Sequence, residues 1–297
     1  MTLFERVLVP LDGSSLAERA LDQVRRILRQ ADAEAILVRA VELPLAGAEV
    51  YPVVDSFEEE ARRYLKRVER SLLEDGARVR SVVRLGPAAE TILSVANEEK
   101  ASLIVMTTHG RTGIARWVMG SVAEKILRAS PVPVWVARSF DGRGAPEEGE
   151  RAVKTILVPL EGDASLRILP FVVELARHFG GAQALLLNVL PEGAGLQRSI
   201  PWLTRAHQEL REHGIPSEPI LRQGDPASQI LEACESRGAD MIALCTHGRS
   251  GLSRWALGSV TEKVLRAAVV PLFVLSTRSA RTEGTGTAAD RACTGVV

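Results

Sequence analysis

The chain carries one sequence pattern twice. Thr108 to Arg138 reads THGRTGIARWVMGSVAEKILRASPVPVWVAR, and Thr246 to Ser276 reads THGRSGLSRWALGSVTEKVLRAAVVPLFVLS; 18 of these 31 positions are identical without a gap. The openings match as well: Val7-Leu8-Val9-Pro10-Leu11-Asp12-Gly13 against Ile156-Leu157-Val158-Pro159-Leu160-Glu161-Gly162. Such self-similarity fixes the organisation before any single residue is weighed, because both copies must adopt one fold. The offset is 149 residues at the start and 138 at the later segment, so the second copy is shorter by 11. The loss falls opposite Leu43 to Asp75, a loop and a long helix in the first copy. The predicted domains are 1–139 and 153–277, joined by a Gly-, Pro- and acid-rich linker at 140–152. Residues 278–297 lack periodicity and are expected to form a poorly ordered tail.

Within each copy short apolar runs alternate with amphipathic helices. In the first copy the runs are Val7–Pro10, Ala35–Val41, Val79–Arg84, Leu103–Thr107 and Val132–Val136. In the second they are Thr155–Leu160, Gln183–Val189, Ser217–Leu221, Met241–Thr246 and Leu272–Leu275. Between the first two runs, Leu16, Ala20, Leu21, Val24, Ile27 and Leu28 keep one helical face, which predicts a single helix there. Tyr64, Leu65, Val68 and Leu72 mark a second, whose counterpart around Trp202 to His213 is short. Strand and helix in alternation predict a parallel sheet covered on both faces. The fold class is α/β: two Rossmann-like, doubly wound domains in tandem, each with a five-stranded parallel sheet and four helices. Ligands of such sheets sit at the carboxyl ends of the strands, where the strand order reverses.

Lys plus Arg and Asp plus Glu balance at 37 each. A neutral chain has no global field to gather nucleic acid or an anionic membrane, so any anion must be held by local geometry. The three cysteines, Cys234, Cys245 and Cys293, form no C-x-x-C pair, which argues against a disulfide framework or a zinc site. No apolar run reaches membrane-spanning length, and the start has no signal-peptide layout, so a cytoplasmic location is expected.

The chemistry-bearing signal is His109-Gly110, nine residues, then Gly120-Ser121, after a strand and before a helix. A helix N-terminus offers unpaired N–H groups and partial positive charge, which suits phosphate, and glycines let the backbone approach an anion closely. Gly113 suits the same loop, and Arg111 and Arg116 bring charge nearby. A bland reading competes: Ser121-Val122-Ala123-Glu124 and Ser259-Val260-Thr261-Glu262 both fit a capping box, serine at the cap and glutamate three residues on. Asp12 ends the first strand, where an acid accepts from ribose hydroxyls or binds a phosphate-bound metal. It also suits a plain strand-to-helix turn, and Ser15-Leu16-Ala17-Glu18 is a further capping box. The recurring His109 and His247 have no catalytic partner and are read as loop positioning. The recurring Trp117 and Trp255 are read as packing anchors. Cys234 reads as a buried helix residue and Cys245 as a strand end, neither with a sign of reactivity.

Taken together these residues resemble the universal stress protein family. Its ATP-binding members carry G-x-x-G, nine residues, then G-[S/T], with a first strand ending in P-x-D and a second ending in a His-Val pair near the adenine. The resemblance covers both copies and implies the adenine-nucleotide-hydrolase-like superfold. Carried over to the first copy, it implies ATP contacts at Pro10, Asp12, Ala40, Thr107, His109, Gly110, Arg111, Gly120, Ser121 and Val122. In the second it implies a weaker site at Pro159, Glu161, Val189, Cys245, His247, Gly248, Arg249, Gly258, Ser259 and Val260. The departures are Thr107 and Cys245 at the first glycine, Arg39-Ala40 in place of His-Val, and Glu161, one methylene longer, in place of aspartate.

The function this implies is an ATP-binding protein with a regulatory role in the stress response, the ligand being ATP or else ADP or AMP, accompanied by Mg²⁺, with no assigned metal ligands. Neither an S-G-G-x-D-S loop, an H-x-G-H motif nor a Walker lysine is present, so slow ATP hydrolysis is the most enzymatic activity expected. The rival from another class is a protein–protein scaffold with vestigial sites. The resemblance also implies edge-to-edge pairing through the last strand of each copy, with two chains then dimerising. Neither nucleic acid nor membrane is expected as a partner.

Overall fold

The computed structural model describes residues 2–42, 51–107, 119–137, 153–193, 200–246 and 257–276; the linker and the tail lie outside the described residues. The first copy runs β1 (Arg6–Pro10), α1 (Ser15–Glu18), α2 (Ala20–Gln30), β2 (Glu34–Val41), α3 (Tyr51–Glu74), β3 (Arg78–Leu85), α4 (Ala88–Glu98), β4 (Leu103–Thr107), α5 (Ser121–Ala129) and β5 (Val134–Ala137). The second runs β6 (Thr155–Pro159), α6 (Asp163–Leu166), α7 (Leu169–His178), β7 (Gln183–Leu190), α8 (Ile200–Glu212), β8 (Ser217–Gln223), α9 (Pro226–Ser236), β9 (Met241–Cys245), α10 (Ser259–Ala267) and β10 (Leu272–Leu275).

The strands form one ten-stranded sheet in the order β3-β2-β1-β4-β5-β10-β9-β6-β7-β8. All pairings within a copy are parallel. The copies meet at an antiparallel seam in which Leu272 faces Val136, Phe273 faces Trp135 and Val274 faces Val134. The expected edge-to-edge pairing of the two last strands is thus present inside one chain. Residues alternate across the sheet as the two-residue strand period requires. Val7 and Val9 pack under α2 and α3, and Leu8 packs on the opposite face with residues of α4 and α5. Each of these apolar layers runs through both copies.

The 11-residue deficit of the second copy lies in one helix, for α3 has 24 residues and α8 has 13. About three helical turns are removed, and the flanking strands keep their register.

Three expectations need correction. The single helix from Leu16 to Leu28 is two elements: at Arg19 the backbone N–H bonds only three residues back, to Leu16 O at 3.3 Å, tightening the turn. In the second copy Pro170, without an N–H, sits in the first turn of α7 and separates it from α6. Among the described residues each copy therefore has five helical elements, not four. The last strand of the first copy begins at Val134 rather than Val132, because Ser130 Oγ donates to Val132 O (2.6 Å) and accepts from Val132 N (3.2 Å), holding a turn there.

Contacts beyond the seam fasten the halves. Leu3 N donates to Glu174 Oε2 on α7 at 2.5 Å. Phe4 stacks on His178 with ring centroids 4.1 Å apart, and Phe179 meets Trp135 edge-on at 5.7 Å. Ser276 Oγ donates to Arg128 O at 3.0 Å.

Candidate functional site

In each copy the strand order reverses once, between β1 and β4 and between β6 and β9. Doubly wound sheets open a crevice at that point, beyond the strand carboxyl ends. The segments that follow these strands contain Asp12 and Gly120-Ser121 in the first copy, and Glu161 and Gly258-Ser259 in the second.

After β1 the chain turns sharply. Leu11 N still donates to Val38 O (2.9 Å), and Gly13 then takes φ +86°, a conformation glycine adopts without a Cβ penalty. Asp12 Oδ1 accepts from Ser14 N at 2.9 Å and from Ser14 Oγ at 2.6 Å. Ser14 Oγ in turn accepts from Ala17 N at 3.1 Å. Ser14, not Ser15, is therefore the N-cap of α1. The aspartate spends one oxygen on its own turn. Oδ2 accepts nothing from the described residues and remains available to an external donor. Pro10 ends β1 and Ala40 lies near the end of β2, and both are half-buried.

After β4, the buried Thr107 ends the strand, and α5 resumes at Ser121 with Gly120 as N-cap. Gly120, having no side chain, contributes no capping hydrogen bond, and no side chain of the described residues does so. The capping-box reading is corrected: Ser121 occupies the first helical position and is exposed, and the first helical bond is Glu124 N to Gly120 O at 3.0 Å. The backbone N–H groups of Ser121 and Val122 find no acceptor among the described residues, and at a helix start they carry partial positive charge.

The second copy repeats this and shows the cause. Gly258 is the N-cap of α10, again without a side-chain cap. A Cβ on Gly258 would lie 2.7 Å from Thr246 O, so the close pass of helix start over strand end demands glycine. Gly258 N donates to that carbonyl at 3.3 Å. Glu262, which a capping box would turn back to the cap, instead pairs with Arg266 at 2.5 Å. Ser259 is exposed and Val260 half-buried.

The turn after β6 is built differently. Ser165 Oγ accepts from Glu161 N at 2.9 Å and donates to Gly162 O at 2.6 Å. Asn188, at the position of Arg39, is buried and donates to Leu160 O at 2.6 Å. Cys245 Sγ lies 3.7 Å from Ser165 O, and burial pushes the thiol up to about 12. The Glu161 side chain stands exposed instead of folding back on its turn. Pro159 and Val189 are half-buried at the strand ends.

His109, Gly110, Arg111, Gly113, Arg116 and Trp117, with His247, Gly248, Arg249 and Trp255, lie outside the described residues. Four side chains beside the turns were not singled out from sequence: Ser14, Ser165, Tyr64 and Asn188. Only Ser14 had a local signal, since Asp-x-Ser suits an Asx turn. Cys234 is buried on α9, as expected. Among the described residues no group of three His, Cys, Asp or Glu side chains is placed to hold a metal ion. No described helix is long and apolar enough to cross a membrane.

The family model described as "Universal stress protein family" matches residues 3–138 and again 152–276. The chain belongs to the universal stress protein family. The universal stress protein MJ0531 of Methanocaldococcus jannaschii is 32% identical over 144 residues, 46% of this chain and 83% of that protein. The universal stress protein Rv2005c of Mycobacterium tuberculosis is 26% identical over 221 residues, 66% of this chain and 68% of that one. Among solved structures, a universal stress protein from Archaeoglobus fulgidus superposes with a TM-score of 0.73 at 21% identity, covering 93% of this chain and 98% of that one. That structure supports the tandem α/β fold.

Proposed function

We propose that the chain binds an adenine nucleotide, ATP foremost, with the first copy as the principal site and a regulatory role exercised through nucleotide occupancy. The observation that supports this reading is a pair of features following the adjacent strands β1 and β4: the half-spent carboxylate of Asp12, and the glycine-capped start of α5 with Gly120 and Ser121 leading into it. The N–H groups of Ser121 and Val122 would take phosphate oxygens, and Asp12 Oδ2 would accept from a ribose hydroxyl. Pro10, Ala40 and Thr107 would flank the base and sugar. His109, Gly110 and Arg111 would belong to the loop over the phosphates. Mg²⁺ would enter with the phosphates, held chiefly by their oxygens. The second copy keeps the glycine-capped helix start but not the aspartate geometry, which supports weaker binding there.

The domains 1–139 and 153–277 are proposed as the two binding units. The β5 and β10 edges are already paired with each other, so a dimer of chains would have to use other surfaces.

Nucleotide released by denaturing freshly purified protein, counted per chain, tests the proposal. About one ATP per chain is expected, and Asp12→Ala should abolish its retention. Hydrogen bonds to a charged group contribute about 1.5–3 kcal/mol, so the affinity should fall roughly 10- to 100-fold. Neither bound nucleotide nor a thermal shift on adding ATP would leave the scaffold reading. Turnover in single-cycle assays would add slow hydrolysis.

A further inference from the structure

Arg39 stands on β2 where the family pattern has histidine. Its side chain is only 14% exposed. The guanidinium packs against the open face of Gly13: a Cβ there would meet Arg39 Nη1 at 3.3 Å and Cζ at 3.4 Å. Its cation is poorly matched. The one carboxylate within ion-pair range among the described residues is Glu60 at 3.8 Å, itself 64% exposed, and no described residue accepts a hydrogen bond from Arg39. A guanidinium carries five N–H donors in a planar fork suited to phosphate, and a desolvated charge is costly unless matched.

The surroundings fix this cation in place. The Tyr64 ring lies under Arg39 Cζ at 5.0 Å, and the Tyr64 hydroxyl is buried near Glu18. Arg67 adds a second cation over the same ring at 5.2 Å and pairs with Glu18 at 3.7 Å. The corresponding side chain of the second copy is the neutral Asn188, whose amide is spent on Leu160 O. In doubly wound nucleotide folds the carboxyl end of the second strand reads the ribose: an acid there selects a free hydroxyl, and a nearby arginine accommodates a phosphate on that oxygen.

We infer that Arg39 makes the first copy a reader of ribose phosphorylation, favouring an adenine nucleotide with a phosphate on its 2′ or 3′ oxygen over one with both hydroxyls free. Arg39 takes the phosphate, and Asp12 Oδ2 keeps the remaining hydroxyl. The inference rests on the nucleotide-binding reading above.

Calorimetric titration of the intact chain with AMP, adenosine 2′,5′-bisphosphate and adenosine 3′,5′-bisphosphate tests it. One bisphosphate should bind about tenfold or more tightly than AMP, as expected for a charge-assisted contact, and which one does so identifies the oxygen read. That ratio should shrink with added salt, fall to near one in Arg39→Gln, and survive in part in Arg39→Lys. A wild-type ratio at or below one overturns the inference, as does a ratio that persists in Arg39→Gln. If Arg39→Gln fails to fold, the wild-type ratio, its salt dependence and Arg39→Lys decide. AMP and ATP binding without preference sinks this inference alone, whereas no binding by any of the nucleotides sinks the nucleotide reading with it.

Discussion

Replacing Gly258 by alanine adds one carbon where the backbone leaves no room for it. Gly258 has φ −57° and ψ 140°, open to any residue, so backbone strain does not enter. The methyl would lie 2.7 Å from Thr246 O, whereas ordinary contact begins at 3.4 Å. One partner must therefore move by roughly 0.7 Å, the difference of those two distances. Thr246 is anchored by donating its N–H to Leu275 O at 3.0 Å, so the start of α10 has to shift. Three effects combine. Lost freedom of the unfolded chain stabilises by ~0.4–1 kcal/mol. Exchanging glycine for alanine at an N-cap costs about 1 kcal/mol. Overpacking costs ~1–3 kcal/mol. The net is about 1–3.5 kcal/mol of destabilisation, or a Tm lower by about 2–6 °C for a chain of this size. Calorimetry of Gly258→Ala, with exposed Ser259→Ala as control, measures it. An unchanged or higher Tm would refute the argument, for the entropic effect would then have won and the close pass would not constrain the loop.

Further outcomes follow from the seam and the buried groups. Phe273→Ala removes a fully buried ring opposite Trp135 and should cost ~3–5 kcal/mol in chemical denaturation. His178 is held below its usual 6.5 by burial against Phe4. The unfolded chain therefore takes that proton first, and stability should decline as pH falls below 6.5, levelling beneath the folded value. Urea titrations from pH 8 to 5 should show this slope flattened in His178→Phe. Burial raises the thiols of Cys234 to about 11 and Cys245 to about 12, so iodoacetamide at pH 8 should label neither until the chain unfolds, as read by peptide mass spectrometry.

The repeat made the fold legible because it exposes the strand-helix alternation twice, and the strand at Leu103–Thr107 coincides with its sequence reading. The shortened helix was located for the same reason. Helix starts were less legible. Ser-x-x-Glu at Ser259 to Glu262 satisfies the local pattern of a capping box, yet the pass of Gly258 over Thr246 O sets the start one residue earlier. That distance depends on two segments that no local pattern connects. The break at Arg19 escaped because a 3-residue hydrogen bond leaves the apolar periodicity of Leu16 to Leu28 intact. Leu3 to Glu174 is a contact across 171 residues and has no local signature. At the site, Asp12 and Gly120 were visible as motif residues. Arg39 was visible only as a departure, since its proximity to Gly13 and Tyr64 is a property of the packed β2–α3 face.

The β5–β10 seam has one more consequence. When two identical subunits meet across a two-fold axis, every substitution is made in both, so neither site can change without its twin. Here the two sides of the axis are encoded separately. Aspartate stands on one side where glutamate stands on the other, and arginine on one side where asparagine stands on the other. The shared sheet preserves the architecture of a symmetric pair while its two crevices are free to specialise.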